Sequence, residues 1–355
     1  MPAPLRYAIV GTGGIARHHL SQVLERGGIE VVGFSDPCAA SLERFGAAHP
    51  KAVRHRDPRV MLAKAAPDLV SICAPNRNHC ALVLAALAAG AHVICEKPMA
   101  MTLAEARRME AARRRARRHG LINFSYRNCP SFRFAREMIA AGEIGRIQRV
   151  NVVYLQSWLG VSSARFSWRN DRKIAGFGAL GDLGAHMIDA ARFVSGLEIR
   201  RVIGLARTLV PNMPDAHGKP RAVTTDTNAA FLAEFEGGGI GTFETSQTAI
   251  GYGNHHRIEI SGSRGTIAVL SSDDKQIWMN LGDRLSRYAS WTTSLPEVAV
   301  PTGFVSAQPP PSPAVLADVL RGAKHAYPTF ADGVRVQAVL AAIQRSERNG
   351  RWATL

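Results

Sequence analysis

The tightest constraint on this chain is the turn Gly11-Thr12-Gly13-Gly14-Ile15-Ala16. The run before it, residues 6–10, is short and apolar, as a buried parallel strand requires. In the run after it, residues 15–26, Ile15, Leu20, Val23 and Leu24 can share one helix face, and Gly27-Gly28 ends the pattern. The glycines therefore fall in a strand-to-helix turn. Gly11 permits a tight turn, and Gly13 lets the backbone approach a pyrophosphate with no Cβ in the way. Ala16 stands where a small residue allows close helix–strand packing. The amides of the first helical turn, at the positive end of its dipole, then face the phosphates. Gly11, Thr12, Gly13, Gly14 and Ile15 are the expected contacts.

A second strand pattern, residues 30–35, is followed directly by Asp36. A carboxylate at that strand end suits the two ribose hydroxyls of NAD and repels the 2′-phosphate of NADP. The alternative is that Asp36 caps the next helix, residues 39–48. Glycines, strand and acid in this order favour dinucleotide binding, with NAD the expected cofactor over NADP.

Strand and helix patterns go on alternating up to about residue 124, the rhythm of a parallel, doubly wound α/β sheet. Residues 68–73 form an apolar strand that ends at Ala74-Pro75-Asn76, and residues 91–95 form another that runs into Glu96-Lys97-Pro98. Residues 103–119 read as a helix closed by Gly120. The pattern then changes. Helices at 133–141 and 180–194 are followed by strands at 199–209, 227–236, 239–248, 256–261, 265–270 and 276–280, with a Gly237-Gly238-Gly239 hairpin turn. This grouping predicts an α+β second domain with an antiparallel-rich sheet. The division expected is 1–125 for cofactor and 126–355 for substrate and oligomerisation, with a terminal helix at about 334–347 and a short loop at 309–313.

Length and composition narrow the function classes. The 355 residues suffice for two domains with sizeable cores. No stretch approaches the roughly 18 apolar residues of a membrane helix, and no charged-then-apolar leader opens the chain, so a cytoplasmic protein is expected. Five scattered cysteines without a C-x-x-C pair point to reduced thiols, with neither disulfide nor metal. The net charge of +16 owes much to Arg107, Arg108, Arg113, Arg114, Arg115, Arg117 and Arg118. With no interleaved aromatics and no DNA-reading motif, these read as a solvated helix face, and no nucleic-acid partner is expected. His18-His19 resembles a metal pair, but adjacent residues point to different sides of a helix.

Ligands of open parallel sheets bind past the carboxyl ends of the strands. Three such ends are marked: the glycine turn, Ala74-Pro75-Asn76 with His79 just after, and Glu96-Lys97-Pro98. A lysine at that third end can hydrogen-bond a substrate hydroxyl as it loses its proton; otherwise Lys97 is a surface residue in a turn. The second constellation runs from Gly181 to Asp189. Asp182 and His186, four apart, stack on one face of a helix, and an imidazole is the natural acid/base near neutral pH. Asp189 either fixes the other ring nitrogen or lies on the surface. Glycines at 176, 178, 181 and 184 leave room for a ligand. Tyr126, Arg127, Gln156, Trp158, Trp168 and Arg169 offer aromatic faces for sugar C–H groups and polar groups for hydroxyls, and Arg169 also joins the cofactor set. Tyr252, Asn254 and His255 lie on a loop that can supply further contacts.

Taken together, the glycine turn, Ala74-Pro75-Asn76 with His79, Glu96-Lys97-Pro98 and Gly181-Asp182-x-Gly184-x-His186-x-x-Asp189 resemble the Gfo/Idh/MocA (glucose–fructose oxidoreductase / inositol dehydrogenase / rhizopine catabolism) family. The resemblance implies an N-terminal Rossmann domain and a C-terminal domain with a large open sheet. It implies hydride transfer between a nicotinamide cofactor and a secondary alcohol of a sugar or cyclitol. Lys97 would hydrogen-bond the reacting oxygen, His186 would be the base in oxidation, and Asp182 would hold His186 or substrate. Ala74, Pro75, Asn76, His79 and Glu96 would line the cofactor side. The free sheet face implies a homodimer or homotetramer. The alternatives are an NAD-assisted glycosidase of the same family and a non-catalytic basic protein that binds nucleotide or nucleic acid.

Overall fold

The computed structural model describes residues 3–282, 295–306, 310 and 312–355. Of the expected loop at 309–313, residues 309 and 311 lie outside them, and a helix begins at Ser312. The chain divides into two compact units: Met1–Phe124 with Pro309–Gln337, and Ser125–Gln308 with Ala338–Leu355.

The first unit holds β1 (Leu5–Val10), α1 (Gly14–Leu24), β2 (Ile29–Ser35), α2 (Ala39–Gly46), β3 (Val53–His55), α3 (Pro58–Ala65), β4 (Leu69–Ile72), α4 (His79–Ala88), β5 (His92–Cys95), α5 (Leu103–Ala116) and β6 (Gly120–Ile122). All six strands run parallel in the order β3-β2-β1-β4-β5-β6. Strand order reverses between β1 and β4, the switch point at which open α/β sheets bind ligands. Tyr7, Ile9, Phe34, Leu69 and Ile94 form the buried core. Leu316 and Ala317 pack into the same core, and Leu121 bridges Thr329. These contacts draw 309–337 to this unit, although the sequence reading placed that segment in the second domain.

Two local expectations change. Ile15 does not face the core; it is 36% exposed, and the helix buries Ala16, His19 and Val23 instead. Gly120 does not close the arginine helix. α5 stops at Ala116, where Arg117 takes a left-handed φ of 52° and its N–H bonds the carbonyls of Arg113 and Arg114. Gly120 stands in β6, where a Cβ would come within 2.8 Å of the Phe330 ring. Along α5, Arg107, Arg108, Arg114, Arg115 and Arg117 are exposed, while Glu110 accepts from both Arg113 and Arg114.

The second unit contains α6 (Pro130–Ala140), β7 (Ile147–Leu155), α7 (Arg172–Ala175), α8 (Ala185–Ser195), β8 (Ile199–Arg207), β9 (Asn212–Pro214), β10 (Pro220–Ala222), β11 (Asn228–Phe235), β12 (Ile240–Ser246), β13 (His255–Gly262), β14 (Gly265–Leu270), β15 (Asp273–Leu281), β16 (Glu297–Ala299) and α9 (Thr302–Ser306). α10 (Ser312–Val319) lies in the first unit; α11 (Phe330–Asn349) begins there and continues into the second, which β17 (Ala353–Thr354) closes. Nine strands form one sheet, β16-β15-β14-β13-β7-β12-β11-β8-β17, antiparallel except where β7 and β12 run parallel. α6 and α8 pack on one face. Alternation follows: Ala229, Phe231, Ala233 and Phe235 of β11 are buried, whereas Ala230 and Leu232 are exposed. Every residue of α8 is buried. Among the described residues no helix is long and apolar enough to cross a membrane.

Candidate functional site

The glycine turn is built for a close ligand. Gly11 has φ +91°, and a Cβ there would lie 2.6 Å from the Cys73 carbonyl oxygen, so only glycine fits beside β4. Above Gly13 and Gly14 a Cβ would meet nothing within 4 Å. Gly13 is the N-cap of α1 and no side chain caps it, so the first-turn amides are available to an anion. Asp36 caps no helix by its own position, since Cys38 is the N-cap of α2. Its carboxylate accepts from the backbone N–H groups of Thr12 and Cys38, each at 2.8 Å, which joins the end of β2 to the turn. Both oxygens keep lone pairs for a ribose diol. This open cradle with an acid beside it fits NAD.

The other two strand ends are tied together. His79 is wholly buried, with Nδ1 3.0 Å from the Pro98 carbonyl and Nε2 2.8 Å from the Ala74 carbonyl. Burial keeps its pKa below the usual imidazole value, against the pull of those carbonyls. A neutral imidazole carries one N–H, so His79 donates to one of these carbonyls while its ring stays wedged between the two turns inside the fold. Glu96 also turns inward. Its Oε1 lies 2.8 Å from His19 Nε2 and accepts from Asn123 Nδ2 at 2.6 Å. Burial raises its pKa, but the His19 and Asn123 hydrogen bonds and the nearby Lys97 charge outweigh that and hold it at about 2. Glu96 and Pro98 to Ala100 are buried, while Lys97 is half-buried. Asn76, at the end of β4, is buried as well.

In the second unit the Asp182–His186 segment is not the uniform helix expected. Leu180–Gly184 is a π-helical turn that leads into α8, a device frequent at functional sites. Its glycines serve the fold more than a ligand. A Cβ at Gly178 would lie 1.7 Å from the Asp226 carbonyl oxygen, and one at Gly181 would lie 2.5 Å from Phe177 Cβ. Gly176, with φ +76°, ends α7. Asp226 caps the turn, accepting from Gly178 N at 2.8 Å and Leu180 N at 2.6 Å. Its carboxyl pKa is raised by burial. Asp182 accepts from Gln247 Nε2 at 3.1 Å.

His186 is 7% exposed and set among rings. Tyr126 meets it edge-on with centroids 4.9 Å apart, and Tyr154 lies 6.4 Å away. The two tyrosine hydroxyls are 2.6 Å apart. Tyr154 donates to Asn254 Oδ1 at 2.7 Å, Asn254 donates back to Tyr126 at 3.1 Å, and Gln156 donates to Asn254 at 2.8 Å. Tyr126 and Gln156 thus share one hydrogen-bond network, and the Tyr126 ring lies against His186, while Tyr154, Gln247, Asp226 and His256 were missed. Tyr154 and His256 occupy alternate positions on strands β7 and β13, so their inward direction was the one available signal.

Three expected substrate contacts are otherwise occupied. Arg127 forms a two-pronged bond to Asp189, Nε to Oδ2 at 2.8 Å and Nη2 to Oδ1 at 2.5 Å. Asp189 is 1% exposed, so it is neither a surface group nor uncommitted. Trp158 packs against the cluster of Leu159, Met213 and Val223. The Arg169 guanidinium lies 4.5 Å over the Trp168 ring, in the short helical turn Trp168–Asn170. Tyr252 is exposed and its ring lies 5.1 Å from that of His255. Among the described residues no cluster of three or more His, Cys, Asp or Glu could hold a metal ion.

The likeness to known proteins follows these two units. Residues 5–124 match the family model for the oxidoreductase family with an NAD-binding Rossmann fold, and residues 132–268 match the Gfo/Idh/MocA C-terminal domain. The chain is 36% identical over 216 residues to the levoglucosan dehydrogenase of Pseudarthrobacter phenanthrenivorans, a match that spans 57% of this chain and 55% of that one. It is 31% identical over 250 residues to the D-glucoside 3-dehydrogenase of Escherichia coli, covering 69% of this chain and 70% of that one. Among solved structures, a levoglucosan dehydrogenase in complex with NADH and levoglucosan superimposes with a TM-score of 0.87 at 25% identity, over 99% of each chain. With the parallel sheet, the glycine cradle and the nine-stranded sheet in place, this chain belongs to the Gfo/Idh/MocA family of NAD-binding oxidoreductases.

Proposed function

We propose that the protein oxidises a secondary alcohol of a sugar or cyclitol, with NAD as hydride acceptor. The observation that carries this reading is the turn after β5. It stands at the carboxyl end of the same parallel sheet as the glycine cradle, and Lys97 is its one residue from Glu96 to Ala100 that is not buried. Family membership supports it, as do relatives named for the oxidation of sugars.

Bound NAD supplies the acceptor for the hydride that leaves the carbinol carbon. Lys97 donates a hydrogen bond to the reacting oxygen and stabilises it as its proton leaves. His186 takes that proton, and Asp182, oriented by Gln247, holds the imidazole or a neighbouring hydroxyl. Asp36 hydrogen-bonds the adenosine ribose and disfavours a 2′-phosphate. The face of the large sheet opposite α6 and α8 exposes Leu205, Leu232 and Ile240, the first two lining a groove of about 850 Å³, and a second copy of the chain covers it in a homodimer or homotetramer.

A panel of sugars, anhydrosugars and inositols with NAD, read by NADH absorbance, tests the reaction. NADH appears with at least one polyol, and Lys97→Ala removes the signal while NAD still binds. Aglycone release without net NADH would overturn the reading in favour of an NAD-assisted glycosidase. Light scattering reads the assembly.

A further inference from the structure

Beneath the Lys97 turn lies a buried line of polar groups that the proposed chemistry does not use. It crosses four elements of the first unit. Tyr7 on β1 donates to Ser71 Oγ on β4 at 2.7 Å. Ser71 Oγ lies 3.1 Å from Nδ1 of His19 on α1, and His19 Nε2 lies 2.8 Å from Glu96 Oε1 at the end of β5. Tyr7, Ser71 and His19 are each 0% exposed. Glu96 only accepts, so the imidazole carries a proton on Nε2 and donates it to Oε1, while the Ser71 hydroxyl, which donates as well as accepts, meets Nδ1. The line ends on the carboxylate.

That carboxylate governs the turn. Oε1 takes His19 and Asn123, and Oε2 accepts the backbone N–H of Lys97 at 3.2 Å. A wholly buried helix position is ordinarily best filled by an apolar side chain. An imidazole there has a reason only if the buried carboxylate beside it needs a fixed donor.

We propose that His19 is a positioning residue: by holding the Glu96 carboxylate it fixes the Lys97 backbone, and with it the place of the Lys97 ammonium. The inference rests on the reading of Lys97 as the group that holds the reacting oxygen.

The test compares His19→Leu, His19→Gln and Glu96→Gln in the full chain by two readouts. In the first, lysines are labelled by ¹³C reductive methylation, and the Lys97 signal is assigned by its loss in Lys97→Arg. His19→Leu moves that signal. His19→Gln, whose amide keeps a donor for Glu96, returns it toward wild type. In the second, His19→Leu lowers kcat about tenfold to a hundredfold while the Kd for NAD stays within about threefold. The double variant His19→Leu/Glu96→Gln is no slower than Glu96→Gln alone, because the two groups act in series. An unmoved Lys97 signal in His19→Leu, or losses that multiply in the double variant, overturns the proposal. The labelling readout needs no turnover, so it separates this inference from a failure of the dehydrogenase reading. If His19→Leu does not fold, His19→Asn replaces it, since the shorter amide falls short of Glu96.

Discussion

The two units hold their functional side chains by different means. In the first, the residues of interest stand at the ends of parallel strands, and the backbone presents them: glycines at 11 and 13, an acid directly after β2, a lysine two residues past β5. In the second, Asp182 and His186 are presented by packing. A buried carboxylate at Asp226 caps a π-turn, a glycine admits that carboxylate's own backbone, and the rings of Tyr126 and Tyr154 lie against His186. A site carried by backbone tolerates loss of its reactive side chain. A site carried by packing does not.

The largest expected effects test that contrast directly. Lys97→Ala and His186→Ala should each lower kcat by about a thousandfold. Lys97→Ala should leave the melting temperature nearly unchanged, whereas His186→Ala should lower it by several degrees, because it opens a hole among buried rings. Equal melting temperatures for the two variants would break the comparison. Next, Gly178→Ala should destabilise the protein by about 3 kcal/mol or prevent folding, since its Cβ has no room beside Asp226. The matching change at Gly13, where a Cβ meets nothing, should leave urea stability within about 1 kcal/mol and weaken NAD instead.

Acid sharpens the same contrast. His256 has its ring stacked on Tyr154 at 4.6 Å, and neither ring nitrogen has a hydrogen-bond partner among the described residues. Burial lowers its pKa from 6.5 to about 3. The unfolded chain therefore takes that proton first as pH falls. The stability His256 contributes is whole above pH 6.5 and is lost on the way down to about 3. Glu96, held at about 2 against 4.5, keeps its contribution down to pH 4.5 and loses it below. Between pH 6.5 and 5 the wild type should lose about 2 kcal/mol that His256→Phe does not lose, while Glu96→Gln follows the wild-type slope in that window. Urea unfolding at stepped pH measures this, and parallel slopes for wild type and His256→Phe would refute it. The smallest effect is at the cofactor: Asp36→Ala should weaken NAD about tenfold and narrow its preference over NADP, read by titration with both nucleotides.

Much of the first unit could be read in advance because its signals are local. Strand, glycine turn, helix and acid follow one another within 36 residues, and each step obeys a short-range rule. The inward turn of Glu96 and the pinning role of His79 were not legible, because their partners sit 77 and 19 residues away in the chain. In the second unit Asp182 and His186 stood out by spacing. Their supports did not: Asp226 follows Asp182 by 44 positions, and Arg127 meets Asp189 across 62.

By itself, then, the order of residues determined the alternation of strand and helix, the place of the dinucleotide turn, and the chemical kinds of group available for catalysis. Those depend on φ/ψ preference, apolar period and charge, which are properties of neighbouring residues. Tertiary structure alone decided which polar groups became supports and which stayed accessible. Arg127, Glu96 and His79 were drawn inward because a buried carboxylate, guanidinium or imidazole must find its partner within the fold, and the sequence does not name that partner.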